Sequence, residues 1–310
     1  MGRIGVGASV PPGRAVDLST EIFSEPGLTV THDLDRLVLR VWLDAVDLSV
    51  GRQAVTWGTA ILFPVADLWT TFSPFELDTS QKRGIDALRS TWGLFGGAAE
   101  LDLVIADRGA IDDLSFGGRV VAYTRVADLW GGIAKHWNEI FLFAGGSADA
   151  GAVKLRADLA GIYDLDAAAP QLPRATVGLD AIRPDLSLSL EVHFNGAGAA
   201  PGEAYLTYAS ESEPLGRGET YLMGRVYGGA ALRWVPTEPL TVSASALANA
   251  LDPSAMVVVS LAYAPTEAAT VSLGLFRGFG TAPALAPRPE LPSEFGAYGA
   301  FYYAEISAYF

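Results

Sequence analysis

Ten consecutive residues, Leu186 to Asn195, alternate without a single error. Leu186, Leu188, Leu190, Val192 and Phe194 face one way, and Ser187, Ser189, Glu191, His193 and Asn195 the other. Period two places the two sets on opposite faces of an extended strand. Strands of soluble proteins commonly run about five or six residues, whereas a tilted strand crossing a bilayer needs roughly 9–11. The pattern recurs in Asp35–Asp44 (Leu37, Leu39, Val41, Leu43), in Ala99–Ile105, in Val153–Leu159 and in Leu240–Ala246. A β-sandwich also alternates, and it is the competing reading. It fits poorly here, because many strands are long and no helical pattern is long enough to cover a sheet.

Composition supports the membrane reading. Charged residues make up 18% of the chain, below the roughly 25% usual in soluble domains. A membrane-spanning helix needs about 18 or more consecutive apolar residues, and the best candidate, Ala255–Ala264, stops short of that. With no cysteine there is no disulfide, thiolate metal site or cysteine nucleophile. A net charge of −14 argues against binding a nucleic-acid backbone. Residues Met1–Val30 lack the features of a secretory signal. An export signal is therefore expected to lie outside this chain.

Read back from the C-terminus, strands are expected near 296–310, 268–278, 255–264, 239–249, 220–234, 186–195, 173–182, 151–163, 139–146, 127–136, 116–126, 97–106, 84–93, 47–57 and 35–45. Tight joins such as Pro265-Thr266-Glu267, Pro236-Thr237-Glu238, Arg183-Pro184-Asp185 and Phe95-Gly96-Gly97 alternate with long ones at 58–83, 107–115, 163–172, 195–219 and 278–295. Short turns at one end and long loops at the other are the habit of outer-membrane barrels. Fifteen is an odd count, so a further strand is expected in Ala15–Ser24, giving sixteen; reading Ala127–Ala148 differently gives fourteen. In the last strand Tyr302, Ala304, Ile306, Ala308 and Phe310 share one face. The terminal Phe resembles the insertion signal of such barrels, and Tyr298, Tyr302, Tyr303, Tyr309 and Phe310 suit an aromatic girdle.

Enzymatic chemistry finds little support. His32, His136 and His193 show no metal-ligand spacing. His193 shares a face with Ser187, Ser189 and Glu191, a superficial Ser-His-acid set, yet ordinary lumen polarity explains the same residues. Catalytic residues, metals and cofactors are all expected to be absent.

The block Val50-Gly51-Arg52-Gln53-Ala54-Val55-Thr56-Trp57-Gly58 is the most distinctive in the chain. Pro64, Asp67, Leu68, Phe72-Ser73-Pro74, Leu77-Asp78 and Gly84-Ile85-Asp86-Ala87-Leu88-Arg89 follow it. It resembles a group of largely uncharacterised proteobacterial outer-membrane β-barrels of porin-like type and is loosely similar to alginate-export barrels. The chain departs from that group at Phe63, where an Asn often precedes the Pro. The resemblance covers roughly residues 35 to 95 and implies an outer-membrane channel or exporter, with no substrate attached.

Two local expectations follow. Arg52 is in phase with Leu48 and Val50, so a bulge at Gly51 is expected to swing it into the lumen; the alternative is an arginine snorkelling at the rim. The 58–83 connection is too apolar for a free loop, and a short helix at about Ala66–Thr71 is expected to fold into the barrel mouth. A lid on neighbouring loops, or a subunit contact, would bury the same side chains.

The expected fold is all-β: a single transmembrane antiparallel β-barrel of about 16 strands, with an outer loop folded toward the lumen. Residues 1–34 form an N-terminal segment, holding one strand or a truncated start, and 35–310 the barrel. The expected role is a porin-like channel of the bacterial outer membrane for passive passage of small hydrophilic solutes. Its alternative is a non-conducting structural or adhesive barrel plugged by 58–83. Expected partners are outer-membrane lipid and small solutes or ions, without nucleic acid, and a homo-oligomer is left open. The expected lumen and constriction residues are Arg36, Arg40, Arg52, Gln53, Asp67, Asp86, Arg89, Lys154, Arg156, Glu191 and His193. A mild anion preference is expected near Arg40, Arg52 and Arg89, with most acidic residues lying in loops.

Overall fold

The error-free alternation forms one strand whose faces differ sharply. Val192 is 63% exposed and Leu190 44%, while Glu191 and His193 are 2% and 4% exposed. Residues 14, 16–26, 28–69, 84–107, 114–199, 205–217, 219–284 and 289–308 are described by a computed structural model.

An N-terminal hairpin comes first, β1 (Ser19–Glu25) and β2 (Leu28–Asp33), followed by β3 (Leu37–Trp42), β4 (Asp47–Gln53), β5 (Ile85–Leu94) and β6 (Ala99–Ala106). Next are β7 (Ser115–Tyr123), β8 (Asp128–His136), β9 (Glu139–Ala150), β10 (Val153–Asp164), the two-residue β11 (Ala169–Pro170), β12 (Arg174–Ile182) and β13 (Leu186–Asn195). Two short helices, α1 (Tyr205–Glu211) and α2 (Glu213–Gly216), precede β14 (Val226–Thr237), β15 (Leu240–Asn249), β16 (Ser254–Thr266), β17 (Ala269–Phe279) and β18 (Ala300–Ala308).

The long strands from β3 to β18 form one sheet in chain order, every pair among the described residues antiparallel, and β11 pairs with β10 as the sixteenth strand. All fifteen strands read from the sequence are present, and Ala127–Ala148 holds two of them, joined by Trp137-Asn138. Connections alternate. Those at 43–46, 95–98, 124–127, 151–152, 183–185, 238–239 and 267–268 have two to four residues, and the long ones all leave the opposite, outer end, where 137–138 and 250–253 are short as well. Pro236 and Pro265, expected in turns, lie instead near the ends of β14 and β16. Each falls in a register shift, where the missing N–H breaks no regular rung.

One expected strand went elsewhere. Ser19–Glu25 overlaps the predicted Ala15–Ser24 but pairs with Leu28–Asp33 in a separate two-stranded sheet. Its partner lies so close in sequence that a local hairpin satisfies both.

Exposed apolar residues lie on the outer face throughout, for example Leu39, Leu103, Ile105, Leu142, Leu159, Val177 and Ile306, while Asp102, Asp158, Glu191 and His193 are buried within. This inside-out arrangement requires a hydrocarbon surround. A charge on the outer face near mid-strand is correspondingly costly. Replacing Leu190 by Arg should cost about 2–4 kcal/mol, and Ser187→Arg, on the inner face, distinctly less. Equilibrium unfolding from lipid vesicles measures the difference; equal costs would contradict the assignment of faces.

Candidate functional site

Residues 54–69 leave β4 at the outer end and turn inward across the lumen. Their apolar side chains drive this path. Val55, Trp57, Val65, Leu68 and Trp69 are buried against Ile85, Ala87, Val104, Val121, Trp130, Phe141, Phe143 and Ile162 of β5–β10. Each large side chain removed from water contributes about 1.5–3 kcal/mol. Trp57 and Trp69 meet edge to face with centroids 4.5 Å apart, and Asp67 accepts the Trp57 backbone N–H at 2.7 Å, closing the turn. Farther along, Leu62 and Phe63 pack on Tyr227, Leu247, Met256 and Phe295, so the segment reaches from one side of the wall to the other.

A chain crossing a lumen has no ladder for its backbone, and buried N–H groups must still find acceptors. Two wall carboxylates supply them. Asp158 on β10 accepts the N–H groups of Thr59 (2.6 Å) and Ala60 (2.8 Å) and the Thr59 hydroxyl (2.9 Å). Glu191 on β13 accepts those of Ile61 (2.6 Å), Leu62 (2.9 Å) and Phe63 (3.0 Å). Tyr221 donates to the Leu62 carbonyl. Thr176 donates to the Phe63 carbonyl at 2.7 Å. Having spent its proton there, the Thr176 hydroxyl must accept from His193 Nδ1 at 2.9 Å, which fixes that tautomer. His193 also stacks on Phe63. These contacts engage His193 and Glu191 with the loop, and among the described residues no serine bonds to either side chain.

Arg156 ties the anchors together. It forms a bidentate pair with Asp180 (2.7 and 2.8 Å) and donates to Glu191 at 2.8 Å and to the Thr59 carbonyl. The space comes from Gly178, whose added Cβ would meet the Arg156 guanidinium at 3.0 Å and Glu191 at 3.2 Å. A second cluster holds the near wall. Arg89 pairs bidentately with Asp102 at 2.8 Å, Trp57 Nε1 donates to Asp102 at 2.9 Å, and Arg119 lies 3.4 Å away.

The other predicted residues divide. Gln53 is buried, accepting from Ser49 and donating to the Ala87 carbonyl. Arg40 and Arg36 border a cavity of about 340 Å³ with Asp47 and Glu100, Arg36 lying 3.7 Å from Asp35. Lys154 stands opposite Asp180 across the β10–β12 ladder.

Arg52 and Asp86 depart from expectation. Pairing on both sides of β4 shows no register shift, so there is no bulge at Gly51, although its φ is +118°. Arg52 therefore stays in phase with Val50, on the side away from the lumen. It is buried because the N-terminal segment covers it: it pairs with Asp86 (2.9 and 3.1 Å) and donates to the carbonyls of Leu34 (2.9 Å) and Val16. Arg14 reinforces the cover through Asp33 (2.5 Å), Asp35 (2.7 Å) and the Gly84 carbonyl (3.2 Å). The expected helix at Ala66–Thr71 is also corrected. Ala66–Trp69 is irregular, because its backbone follows the wall contacts of Leu68 and Trp69; Thr70 and Thr71 lie outside the described residues.

Outer loops close over the β14–β17 side around Glu294. Its carboxylate accepts from Met223 N–H (2.8 Å), Tyr227 (2.5 Å) and Asn249 (2.8 Å), and its own N–H donates to Asp252 at 2.7 Å. Burial pushes the Glu294 carboxyl above its ordinary range despite these bonds. Asp158, Asp180, Thr176, Tyr221 and Glu294 were not among the predicted site residues. For Asp158 and Asp180 an inward phase was visible, but nothing in the sequence said what they would hold.

No family model and no curated protein matches the chain. Among solved structures, the fold is similar to Pseudomonas aeruginosa OccD3 (OpdP), with 9% identity, a TM-score of 0.57, and 90% of this chain and 77% of that chain covered. It is also similar to P. aeruginosa OccK5 (OpdH), at 10% identity and TM-score 0.57 over 91% of this chain and 82% of that one. P. aeruginosa OccK10 (OpdN) gives 12% and 0.54 over 87% and 81%. At these identities the likeness shows the fold, a transmembrane antiparallel β-barrel of the kind these structures share.

Two outcomes follow. Glu191→Ala strands three loop N–H groups and Arg156, and should cost about 3–5 kcal/mol as a broken buried pair does. Limited proteolysis within 58–83 should accelerate in the same variant, and unchanged cleavage would show that the anchor is dispensable. For Glu294 the raised folded value means its contribution is present in full below the unfolded value near 4.5 and is lost as pH rises through the folded value. Protection of the Met223 amide, taken relative to the intrinsic exchange rate at each pH, should therefore fall over that interval, and Glu294→Gln should flatten the dependence.

Proposed function

We propose that the chain is a porin-like channel for passive passage of small hydrophilic solutes, narrowed by residues 54–69. The observation that carries this reading is the lopsided seat of that segment. Its apolar mass lies on β5–β10, and a cavity of about 370 Å³ remains between Ile61, Leu62 and the wall of β13–β18. Ser187, Ser189, Ser243, Ser245 and Ser260 line that cavity with Arg233, Phe276 and Tyr303. Hydroxyls spaced along a wall can exchange hydrogen bonds with a moving hydrated solute without trapping it, as conduction requires.

Charge along this route refines the anion preference. Arg89 and Arg156 are spent on Asp102, Asp180 and Glu191, and Arg52 lies under the N-terminal cover. Arg233, exposed and without an ion pair among the described residues, is placed to act on a passing ion. A single fixed cation beside a narrow path favours anions.

Planar-bilayer recording tests both parts. Steady open steps are expected, with reversal potentials in a potassium chloride gradient shifted toward chloride and less so in Arg233→Ala. A protein that inserts yet never conducts would favour the plugged, structural barrel. Selectivity indifferent to Arg233 but lost in Arg40→Ala would move the filter to the β3–β6 side.

A further inference from the structure

One row of directly opposed residues crosses the inner wall from β13 to β18: Ser187, Arg233, Ser243, Ser260, Gly274 and Tyr303. Neighbouring strands lie about 4.7–4.9 Å apart, so the row is a polar belt at one height of the lumen. The next row toward the outer end holds Ser189, Ser245 and the buried Phe276, with Ala231 and Val258 between them. Side chains of both rows line the cavity of about 370 Å³ beside Ile61 and Leu62.

Tyr303 reaches back along this belt. A Cβ added at Gly274 would meet its ring at 2.0 and 2.3 Å and its hydroxyl at 2.6 Å. The phenol therefore lies across Gly274 along the wall instead of standing into the lumen, a place that any side chain at 274 would deny it. Its hydroxyl bonds to the Ser260 side chain on the strand beyond. The Phe276 ring lies 5.7 Å away, tilted by 44°. The cavity thus joins an aromatic surface to a series of hydroxyls, with Arg233 as the one charged group and no acid among its described lining residues.

That combination selects a chemistry. A serine hydroxyl both donates and accepts, so a series of them matches a solute whose own groups are hydroxyls. An amino acid would leave its ammonium without an anion. A simple carboxylate would use Arg233 and leave the serines idle. A pyranose presents a girdle of hydroxyls around apolar C–H faces, and an aromatic ring holds such a face by dispersion and by the attraction of its negative π surface for C–H groups.

We propose that this cavity binds neutral pyranose sugars, one C–H face resting on Tyr303 and the hydroxyls exchanging hydrogen bonds with Ser243, Ser245, Ser260 and Arg233. The site rests on the reading that residues 54–69 leave this side of the lumen open, and it names the solute class that the passage takes.

Saturation-transfer NMR on the full chain, in an amine-oxide detergent that carries no sugar, tests it with methyl β-glucopyranoside as probe. Sorbitol, with the hydroxyls but no ring, and cyclohexanecarboxylate, with a ring and a charge, are the comparators. The glucoside should bind saturably at millimolar concentration, with transfer strongest to the axial hydrogens of one ring face. Tyr303→Ala should weaken it about tenfold and level the transfer between the two faces, as loss of a stacked ring implies. Tyr303→Phe keeps the ring and should stay within about threefold, and Ser243→Ala/Ser245→Ala should weaken binding by about threefold to tenfold. Circular dichroism and the heat-dependent gel shift report whether each variant is folded. Absence of saturable glucoside binding would overturn the proposal. So would either comparator binding as tightly as the glucoside, or affinity unchanged in the folded Tyr303→Ala variant. A barrel that binds the glucoside but never conducts would sink the channel reading alone, and steady conduction without glucoside binding would sink this proposal alone.

Discussion

Six hydrogen bonds from the loop to the carboxylates of Asp158 and Glu191 decide what kind of barrel this is. A sheet closes its own backbone account rung by rung, but a segment crossing the lumen cannot. Without acceptors aimed at residues 59–63, the buried N–H groups would cost more than the packing of Trp57, Leu62 and Phe63 returns. Each carboxylate must in turn be balanced, and Arg156 does so for Glu191 while holding Asp180. The constriction is thus a chain of dependencies that runs from loop to wall.

The same economy appears at the outer rim. Arg52 has the phase of a lipid-facing residue, where an uncompensated guanidinium would be costly. The structure leaves the strand regular and brings carbonyls and acids to the arginine, using Val16, Leu34 and Asp86. Arg14 then fastens the covering segment through Asp33 and Asp35. On the other side of the mouth, Glu294 gathers Met223 and Tyr227 from one stretch of chain and Asn249 from another. Buried charged groups here act as fasteners for segments that have little secondary structure of their own.

The exposed acids belong to a different category. At the outer end Asp164 and Asp166 accept from neutral donors, and Arg217 pairs with Glu213 and Glu219. Such spacing keeps a negative field at the mouth, while Arg89, Arg119 and Arg156 on the inner wall are paired. Screening over about 8 Å at physiological salt separates the two regions electrically.

Much of the fold was written in the sequence, because alternation is a local code. In a barrel each strand answers only to water within and hydrocarbon without, so β13 reads correctly from its own ten residues. The same code placed Asp158, Arg156 and Glu191 inward. It failed where inner-face residues of the outer half turn apolar, as at Val104, Phe141, Phe143 and Ile162, for these answer to the loop. It also assigned Arg52 and Asp86 to the lumen, since the covering carbonyls of Leu34 and Val16 lie 18 and 36 positions upstream of Arg52. The chain alone determined the fifteen long strands, their phase and the membrane-facing surface, each a matter of near neighbours and solvent. Only the tertiary structure decided which carboxylates hold the loop and where a passage remains, because those partners lie about 100 to 130 residues apart and meet only when the wall has curved around them.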